Sequence, residues 1–183
     1  MRKSIWVTTV VLMVLSLFVG MTQIVFAQEK EEKPKVKIGI YDSRAVAVAF
    51  AGSAIHEKQL KGLNEEIKKA KDSKNTKVAA NLENIGKSMQ KKMHKQAFST
   101  EPVNDLFFYI PNVLPEIQKA EGFEAIISKW DSENMTKYAD ADKVDITMKL
   151  VDAFKPIEKQ RKSAIEIQKS KPLTPEQAEK IKD

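Results

Sequence analysis

The sequence predicts a mostly helical α+β protein, with a small β-sheet body and a projecting antiparallel α-helical coiled-coil hairpin. Three observations lead to this fold class: an alternating apolar pattern at 36–41, two apolar stripes at helical spacing between 54 and 100, and aromatic residues clustered between 98 and 155. An all-β protein is excluded, because 6 Gly and 7 Pro in 183 residues are too few for its turns. The absence of cysteine excludes disulfide scaffolds, Cys-ligated metal sites and thiol catalysis.

The N-terminus has the pattern of an export signal, predicted to be a cleaved signal peptide at 1–27. Arg2 and Lys3 precede an apolar stretch, and Val25-Phe26-Ala27 places an aliphatic residue at −3 and alanine at −1 of a signal-peptidase site. An uncleaved anchor stays open, because no charge occurs from 5 to 27. In both cases we expect the rest of the chain to be exported. Residues 28–35 are predicted to be a disordered lead-in.

The body of the protein begins with a predicted strand and a short helix. Apolar residues at 36, 38 and 40 alternate with polar or small ones, which predicts a strand that ends at Tyr41. Asp42-Ser43 is a helix-start signal, so 44–50 is predicted to be helical. A continuation of the strand through 50 remains the alternative, because valine and phenylalanine alternate with alanine there.

Two apolar stripes between 54 and 100 predict the helical hairpin. Their spacings of 3 and 4 residues are those of a narrow coiled-coil seam, and 72–75 is a turn signal between them. No aromatic residue occurs from 51 to 97, which favours a segment that projects from the body. The predicted seam consists of Leu60, Leu63, Ile67, Val78, Leu82, Ile85 and Met89.

The second half of the body is predicted from turn signals. A helix start is expected at Thr100–Pro102, a helical turn at 116–120 that ends at Gly122, and strands at 123–130 and 135–138. Asp145 is expected to cap a helix. Its predicted apolar side carries Ile146, Leu150, Val151 and Phe154.

Lysine dominates the charge of the hairpin. From 55 to 98 there are eleven lysines and five acidic residues, while the whole chain has a net charge of only +6. Lysine-rich helix faces usually serve solubility, but they also suit an acidic or amphiphilic partner. The lysines are Lys58, Lys61, Lys68, Lys69, Lys71, Lys74, Lys77, Lys87, Lys91, Lys92 and Lys95.

Catalytic and cofactor-binding patterns are not evident. His56 and His94 lie equally far on either side of the turn, yet no third metal ligand can be identified, so both are interpreted as solvated histidines on the helix surface. The six glycines do not form a phosphate-binding loop, and no nucleophile-elbow or zinc-protease motif is present. We therefore expect no enzymatic activity, no cofactor and no bound metal.

Three segments resemble the Skp/OmpH family of periplasmic chaperones. They are the opening strand 37–43, the helix-turn-strand segment 114–127, and 138–147, which is similar to the family's strand ending in Tyr, polar turn and Asp-Ile-Thr helix start. The resemblance covers 35–154. It implies a periplasmic trimer whose strands pool into a small barrel, with three hairpins around a cavity that holds unfolded outer-membrane proteins, without nucleotide.

The chain departs from this family in two ways. The hairpin is shorter, and Pro102, Pro111 and Pro115 interrupt the return helix. The domain at 36–154 is followed by a tail at 155–183, predicted to be helical because Thr174-Pro175-Glu176-Gln177 forms a capping box.

These observations favour an ATP-independent holdase that uses the eleven lysines to capture unfolded outer-membrane proteins. The alternative is an envelope structural protein whose coiled-coil arms dock one specific partner, with the tail as an anchor. Contact with a membrane surface stays open. Nucleic-acid binding is disfavoured, because the hairpin contains no arginine and no aromatic residue among its lysines.

Overall fold

The computed structural model describes residues 35–181. The predicted signal peptide at 1–27 and nearly all of the predicted lead-in lie outside these residues. The described residues belong to one compact unit, so the predicted tail up to residue 181 is part of the same unit as the strands. Within 35–181, no helix combines the length and the apolar character needed to cross a bilayer.

The described chain is mostly helical and contains a small sheet, which confirms the α+β class. The strands are β1 (Lys37–Tyr41), β2 (Ala125–Ser128) and β3 (Asp142–Asp145). A 3₁₀ helix spans Asn104–Tyr109. The α-helices are α1 (Ser43–Ala51), α2 (Ala54–Asp72), α3 (Thr76–Phe98), α4 (Val113–Glu121), α5 (Ser132–Lys137), α6 (Thr147–Ala153), α7 (Glu158–Ile167) and α8 (Pro175–Ala178).

The sheet is parallel throughout, with β1 between β2 and β3. Ile38 lies opposite Ala125 on one side and Lys143 on the other. The third strand predicted at 135–138 is wrong, because those residues belong to α5 and the following tyrosine. The side chain of Asp131 accepts a hydrogen bond from the Asn134 amide and starts this helix.

Side-chain caps explain where the first three helices begin. Asp42 accepts a hydrogen bond from the Arg44 amide and starts α1, so the alternative of a longer first strand is wrong. Ser53 caps α2 and Asn75 caps α3 in the same way. Lys74, in the turn between the two helices, has a positive φ of 55°. The helical stripes therefore predicted both helices and their turn correctly.

The helices α2 and α3, called the helical pair from here on, lie against each other. Lys71 forms an ion pair with Glu83 at 2.8 Å near the turn. Farther from the turn, a side-chain carbon at Gly86 would lie 3.3 Å from the Leu63 Cδ2 atom. Ala70 is buried next to Lys71, and Ala79 is buried nearer the turn. Small residues therefore line the close approach of the two helices.

The core is centred on α1 rather than on the aromatic cluster alone. Ala45, Val46, Ala49 and Phe50 are buried, and α1 packs on α3, α6 and α7. Part of the aromatic cluster joins this core: Phe107, Phe123 and Phe154 are buried, whereas Phe108 is 82% exposed.

The tail packs on this core. Ala164 of α7 is fully buried, and the Ile157 amide donates to the Gly52 carbonyl. The capping box at Thr174 is present and starts α8, as predicted. Ala178 of α8 is also fully buried.

Two helix boundaries differ from the prediction. The helix expected at Thr100–Pro102 is replaced by extended chain and the 3₁₀ helix. Asp145 was expected to be the N-cap of α6, but it is the last residue of β3, and α6 begins at Thr147, one residue later than that cap would place it. The Asp145 side chain still accepts a hydrogen bond from the Thr147 amide. The expected apolar side of α6 is confirmed, since Ile146, Leu150, Val151 and Phe154 are all buried. Gly122 ends α4 with φ 67°, as its C-cap position predicted.

Candidate functional site

Four of the eleven predicted lysines are held in ion pairs within the described chain. Lys71 pairs with Glu83 in the helical pair itself. The other three lie near the end of α3 and contact acidic residues outside the helical pair: Lys91–Glu179 at 3.1 Å, Lys95–Glu179 at 2.9 Å and Lys92–Asp105 at 2.8 Å. Hydrogen bonds from Lys95 and Lys91 hold the pKa of Glu179 below its ordinary value. These lysines fasten α8 and the 3₁₀ helix to α3.

The remaining seven lysines form no ion pair with the described residues and are called the unpaired lysines. All seven are exposed on the helical pair. No described carboxylate lies within ion-pairing distance of them, although Lys87 is close enough to Glu83 to help lower its pKa, so most of their charge is available to an acidic partner. They are Lys58, Lys61, Lys68, Lys69, Lys74, Lys77 and Lys87.

The predicted seam is only partly covered. Leu63, Ile67, Leu82 and Met89 are half-buried. Leu60, Val78 and Ile85 keep 41%, 43% and 50% of their surface exposed. The helical pair therefore presents apolar side chains to solvent among its lysines.

A groove of about 1020 Å³, called the basal groove from here on, lies between the helical pair and α7. The helical pair contributes His56, Leu60, Met89 and Met93, and Phe98 lies at its end. The α7 wall contributes Lys159, Gln160, Lys162, Ser163, Glu166 and Ile167, followed by Lys169. The groove is thus apolar at the helical pair and polar along α7.

The interpretation of His56 and His94 as solvated surface residues is wrong. His94 is 8% exposed, and its ring meets the Phe98 ring at 6.1 Å. His56 is half-buried, with its ring 5.2 Å from that of Phe50. Burial lowers the pKa of His56, although a hydrogen bond with Gln59 opposes this effect. Both histidines line the basal groove, because the base of the helical pair packs against α1 and α7.

Two buried polar atoms at the groove have no hydrogen-bond partner among the described residues. They are Nδ1 of His56 and Oε1 of Gln160. Leaving a buried acceptor unsatisfied costs about 1–3 kcal/mol. Both atoms are enclosed by packed side chains, so they lie behind the groove surface and not on it.

No protein-family model, curated protein or solved structure matches the chain.

A buried charge cluster at the carboxyl end of β1 was not predicted from the sequence. Asp42 and Arg44 have fully buried side chains joined by a 2.9 Å ion pair. Asp42 also accepts hydrogen bonds from Lys129 Nζ at 2.7 Å and Trp130 Nε1 at 3.0 Å. Burial raises the pKa of Asp42, but the hydrogen bonds from Arg44, Lys129 and Trp130 outweigh it and hold the pKa below its ordinary value.

This charge cluster is saturated by its own contacts. Arg44 Nη1 donates to the Ser170 carbonyl, and the guanidinium lies 4.9 Å from the centre of the Trp130 ring. The Asp42 amide donates to the Thr147 hydroxyl. The cluster therefore ties β1 to the ends of β2, α6 and α7, and we assign it a structural role. Within 35–181, no three His, Asp or Glu residues are grouped so as to hold a metal ion.

Proposed function

We propose that the protein is a periplasmic, ATP-independent holdase that binds unfolded outer-membrane proteins and prevents their aggregation. The observation that carries this proposal is the surface of the helical pair. Leu60, Val78 and Ile85 are exposed there among seven lysines that form no ion pair within residues 35–181. The resemblance of residues 35–154 to the Skp/OmpH family supports the same function.

This surface suits an unfolded client for physical reasons. An unfolded β-barrel protein exposes alternating apolar side chains and unpaired backbone groups. Scattered apolar residues give many weak contacts, and the flexible side chains of Met89 and Met93 can repack around different sequences. The unpaired lysines speed the capture of an acidic client. The proposed mechanism needs no catalytic group.

We further propose that the chain works as a homotrimer in which the helical pair forms a projecting coiled-coil arm. The described sheet leaves one edge of β2 and one edge of β3 without a strand partner. A small three-stranded sheet with two open edges suits pairing with other copies. Pooled strands would form a small barrel, and three arms would surround a client.

The alternative function is that of an envelope protein that docks one specific partner. That interpretation took the tail to be an anchor. Glu179 beside α8 instead pairs with Lys91 and Lys95, and Ala178 is fully buried. The tail contacts therefore favour a structural role for α8 over an anchor. A protein of this second kind would ignore unrelated unfolded clients, which the following assay measures.

The test is an aggregation assay with the exported chain, purified from the periplasmic fraction. A urea-denatured outer-membrane β-barrel protein is diluted into buffer with and without the chain, and light scattering is followed. We expect suppression at a few chains per client, weakened by high salt because salt screens the lysine charges. Unchanged scattering in both buffers would refute the holdase function.

Matched variants separate the effect of the unpaired lysines on client capture from the effect of net charge. Replacing Lys61, Lys68 and Lys69 by Gln is expected to slow client capture. The control replaces Lys119, Lys155 and Lys171 by Gln; these are exposed, carry the same total charge and lie outside the helical pair. Equal effects of the two triple variants would contradict a specific role for the helical pair.

A further inference from the structure

Another cavity, called the strand-end pocket from here on, lies at the carboxyl ends of β1 and β2. Its volume is about 550 Å³, within the range of about 300–1,000 Å³ that is typical of small-ligand pockets. Tyr41 is the last residue of β1 and Ser128 is the last residue of β2, and both line the pocket. Ligands of open parallel sheets bind in the crevice outside the carboxyl ends of the strands. The strand-end pocket therefore has both the size and the position of a ligand site.

Tyr41 contributes a hydroxyl group without a partner. Its side chain is 5% exposed, and its ring packs edge-on against the Phe107 ring at 5.6 Å. Within residues 35–181 the hydroxyl forms no hydrogen bond, and it is not one of the fully enclosed polar atoms, so a ligand can reach it. Burial raises the pKa of Tyr41 to about 12, and the negative charge of Asp131 adds to this effect. Asp131 also lines the pocket, so the hydroxyl and the carboxylate lie near each other on its wall.

The charge of the pocket lining favours a cationic ligand. Asp131 and Glu133 line the pocket, neither forms an ion pair within residues 35–181, and no lysine or arginine of that range joins them in the lining. Asn134 donates to Asp131 from Nδ2 at 2.8 Å and from its amide at 3.1 Å, and these bonds hold the pKa of Asp131 below its ordinary value. An ionised carboxylate has about four acceptor positions, so Asp131 can accept further hydrogen bonds. The nearby Lys129 ammonium is already paired with Asp42 at 2.7 Å.

The rest of the lining separates an organic cation from a metal ion. Pro102, Ile126, Ile127 and Trp130 give the pocket an apolar wall. A hydrated metal ion gains nothing from such a wall, and two carboxylates are fewer ligands than a metal site needs. Within residues 35–181, no three His, Asp or Glu residues are grouped so as to hold a metal ion. An ammonium group attached to an apolar body uses both parts of the lining.

We propose that the strand-end pocket binds a small organic cation that consists of a primary ammonium group on an apolar body. The ammonium donates to the Asp131 carboxylate and to the Tyr41 hydroxyl oxygen, and the apolar body packs on Ile127 and Pro102. An ammonium group has three N–H donors and no acceptor, which matches carboxylates that can only accept. This inference goes beyond the holdase function, because the described residues that line the pocket lie outside the helical pair.

The test compares three probes with the same benzyl body: benzylammonium, benzyl alcohol and phenylacetate. Trp130 lines the pocket, and the other tryptophan, Trp6, lies in the predicted signal peptide, so tryptophan fluorescence of the exported chain reports binding. We expect benzylammonium to bind saturably at millimolar concentration and at least about tenfold more tightly than the other two probes, a difference of about 1.4 kcal/mol. Equal affinities, or tighter binding of benzyl alcohol, would overturn the selection of a cation. The absence of saturable binding by all three probes would overturn the site itself.

Two conservative variants place the ammonium at Asp131 and Tyr41. Asn caps a helix as well as Asp does, so Asp131→Asn keeps the start of α5 and removes only the charge. It should weaken benzylammonium binding at least about tenfold and leave benzyl alcohol binding unchanged. Tyr41→Phe removes only the hydroxyl and should weaken benzylammonium binding about fivefold. Unchanged binding of benzylammonium by Asp131→Asn overturns the proposal.

Glu116→Gln is the matched control for net charge. Glu116 is exposed on α4, outside the pocket lining, and forms no ion pair within residues 35–181. Its replacement removes one negative charge, as Asp131→Asn does, and should leave benzylammonium binding unchanged. An equal loss of affinity in the two variants would mean that the net charge of the chain attracts the probe, and the proposed contact with Asp131 would be wrong. Circular dichroism checks that each variant is folded.

Discussion

Substitution of Asp42 by Asn should be among the most destabilising single changes in the protein. The Asp42 carboxylate accepts hydrogen bonds from Arg44 N, Nε and Nη2 at 3.0, 3.1 and 2.9 Å, besides those from Lys129 and Trp130. Asn keeps one acceptor oxygen but presents an amide group to surrounding donors and leaves the Arg44 charge buried without its counter-ion. Removing one partner of a buried ion pair costs about 3–5 kcal/mol.

Urea unfolding measures this cost directly. Trp130 lies in the charge cluster, so its fluorescence follows the same region as the far-ultraviolet circular dichroism. With a denaturant slope of about 2 kcal/mol per molar urea, we expect the midpoint to fall by about 2 M. A fall below about 0.5 M would show that the cluster does not hold β1 to the helices that follow it.

Asp152→Asn is the matched control. Asp152 also accepts two hydrogen bonds from one arginine, Arg161, at 2.7 and 3.1 Å, but the two side chains are 51% and 39% exposed. We expect it to cost less than about 1 kcal/mol. The double variant Asp42→Leu/Arg44→Met removes both charges and should be more stable than Asp42→Asn. If the double variant were less stable, burial of an unpaired charge would not be the cause.

The pH dependence gives an independent check on Asp42. Because its pKa is lowered in the folded protein, its contribution is fully present above the unfolded value of 3.8 and is lost as the pH falls through the folded value. His56 adds a loss at milder acidity: its pKa is lowered below 6.5 by burial, so stability decreases as the pH falls below 6.5. The difference in unfolding free energy between Asp42→Asn and the parent chain should therefore narrow only well below pH 4. A gap that closes near neutrality would contradict the assignment to Asp42.

Four further substitutions test the fold. In Gly52→Ala, the new carbon would lie 2.3 Å from the side chain of Gln160, so we expect the free energy of unfolding to fall by about 1–3 kcal/mol and proteolysis of the tail to become faster. Gly62→Ala has nothing within 4 Å of the new carbon and should instead stabilise the protein by about 0.5–1 kcal/mol. Equal effects of the two variants would contradict the packing of α7. Gly122→Ala places alanine at φ 67° and should cost about 1 kcal/mol by thermal unfolding, a neutral result arguing against the left-handed cap. Leu150→Ala empties a fully buried site and should cost about 2–5 kcal/mol in urea, and a cost below 1 kcal/mol would place Leu150 outside the core.

Local patterns predicted the elements whose signals are local. The alternation at 36–41 predicted β1, the stripes predicted α2 and α3, and a capping box predicted α8. Each depends on residues within a few positions of one another. The apolar side of α6 was found for the same reason. The strand before it was assigned seven residues too early, because the Asp131 cap starts a short helix across the predicted strand.

The sites depend on contacts between distant residues, and the sequence alone did not reveal them. Asp42 and Trp130 are 88 positions apart, and their contact requires β1 and β2 to be parallel neighbours. The basal groove forms only because α7 packs on α1. The sequence of α7 contains few apolar residues and is typical of a surface helix, so this packing was not predicted. One signal exists in the observed strands: Asp42 and Lys129 are charged residues that directly follow β1 and β2, at a shared sheet edge. The predicted strand at 123–130 included Lys129 and so concealed this signal.

The tail divides the predicted basic surface into two parts with different salt responses. Lys91 and Lys95 are already paired with Glu179, so under the proposed holdase function the unpaired lysines would attract a client at long range. That attraction is screened over about 8 Å at physiological ionic strength. Contacts of a client with the exposed Leu60 and Ile85 would bury apolar surface and weaken much less with salt. Raising salt should therefore slow client association while leaving the dissociation rate nearly unchanged. Stopped-flow measurement of both rates checks this. A dissociation rate that rises as steeply as association slows would mean that the exposed apolar residues do not hold the client.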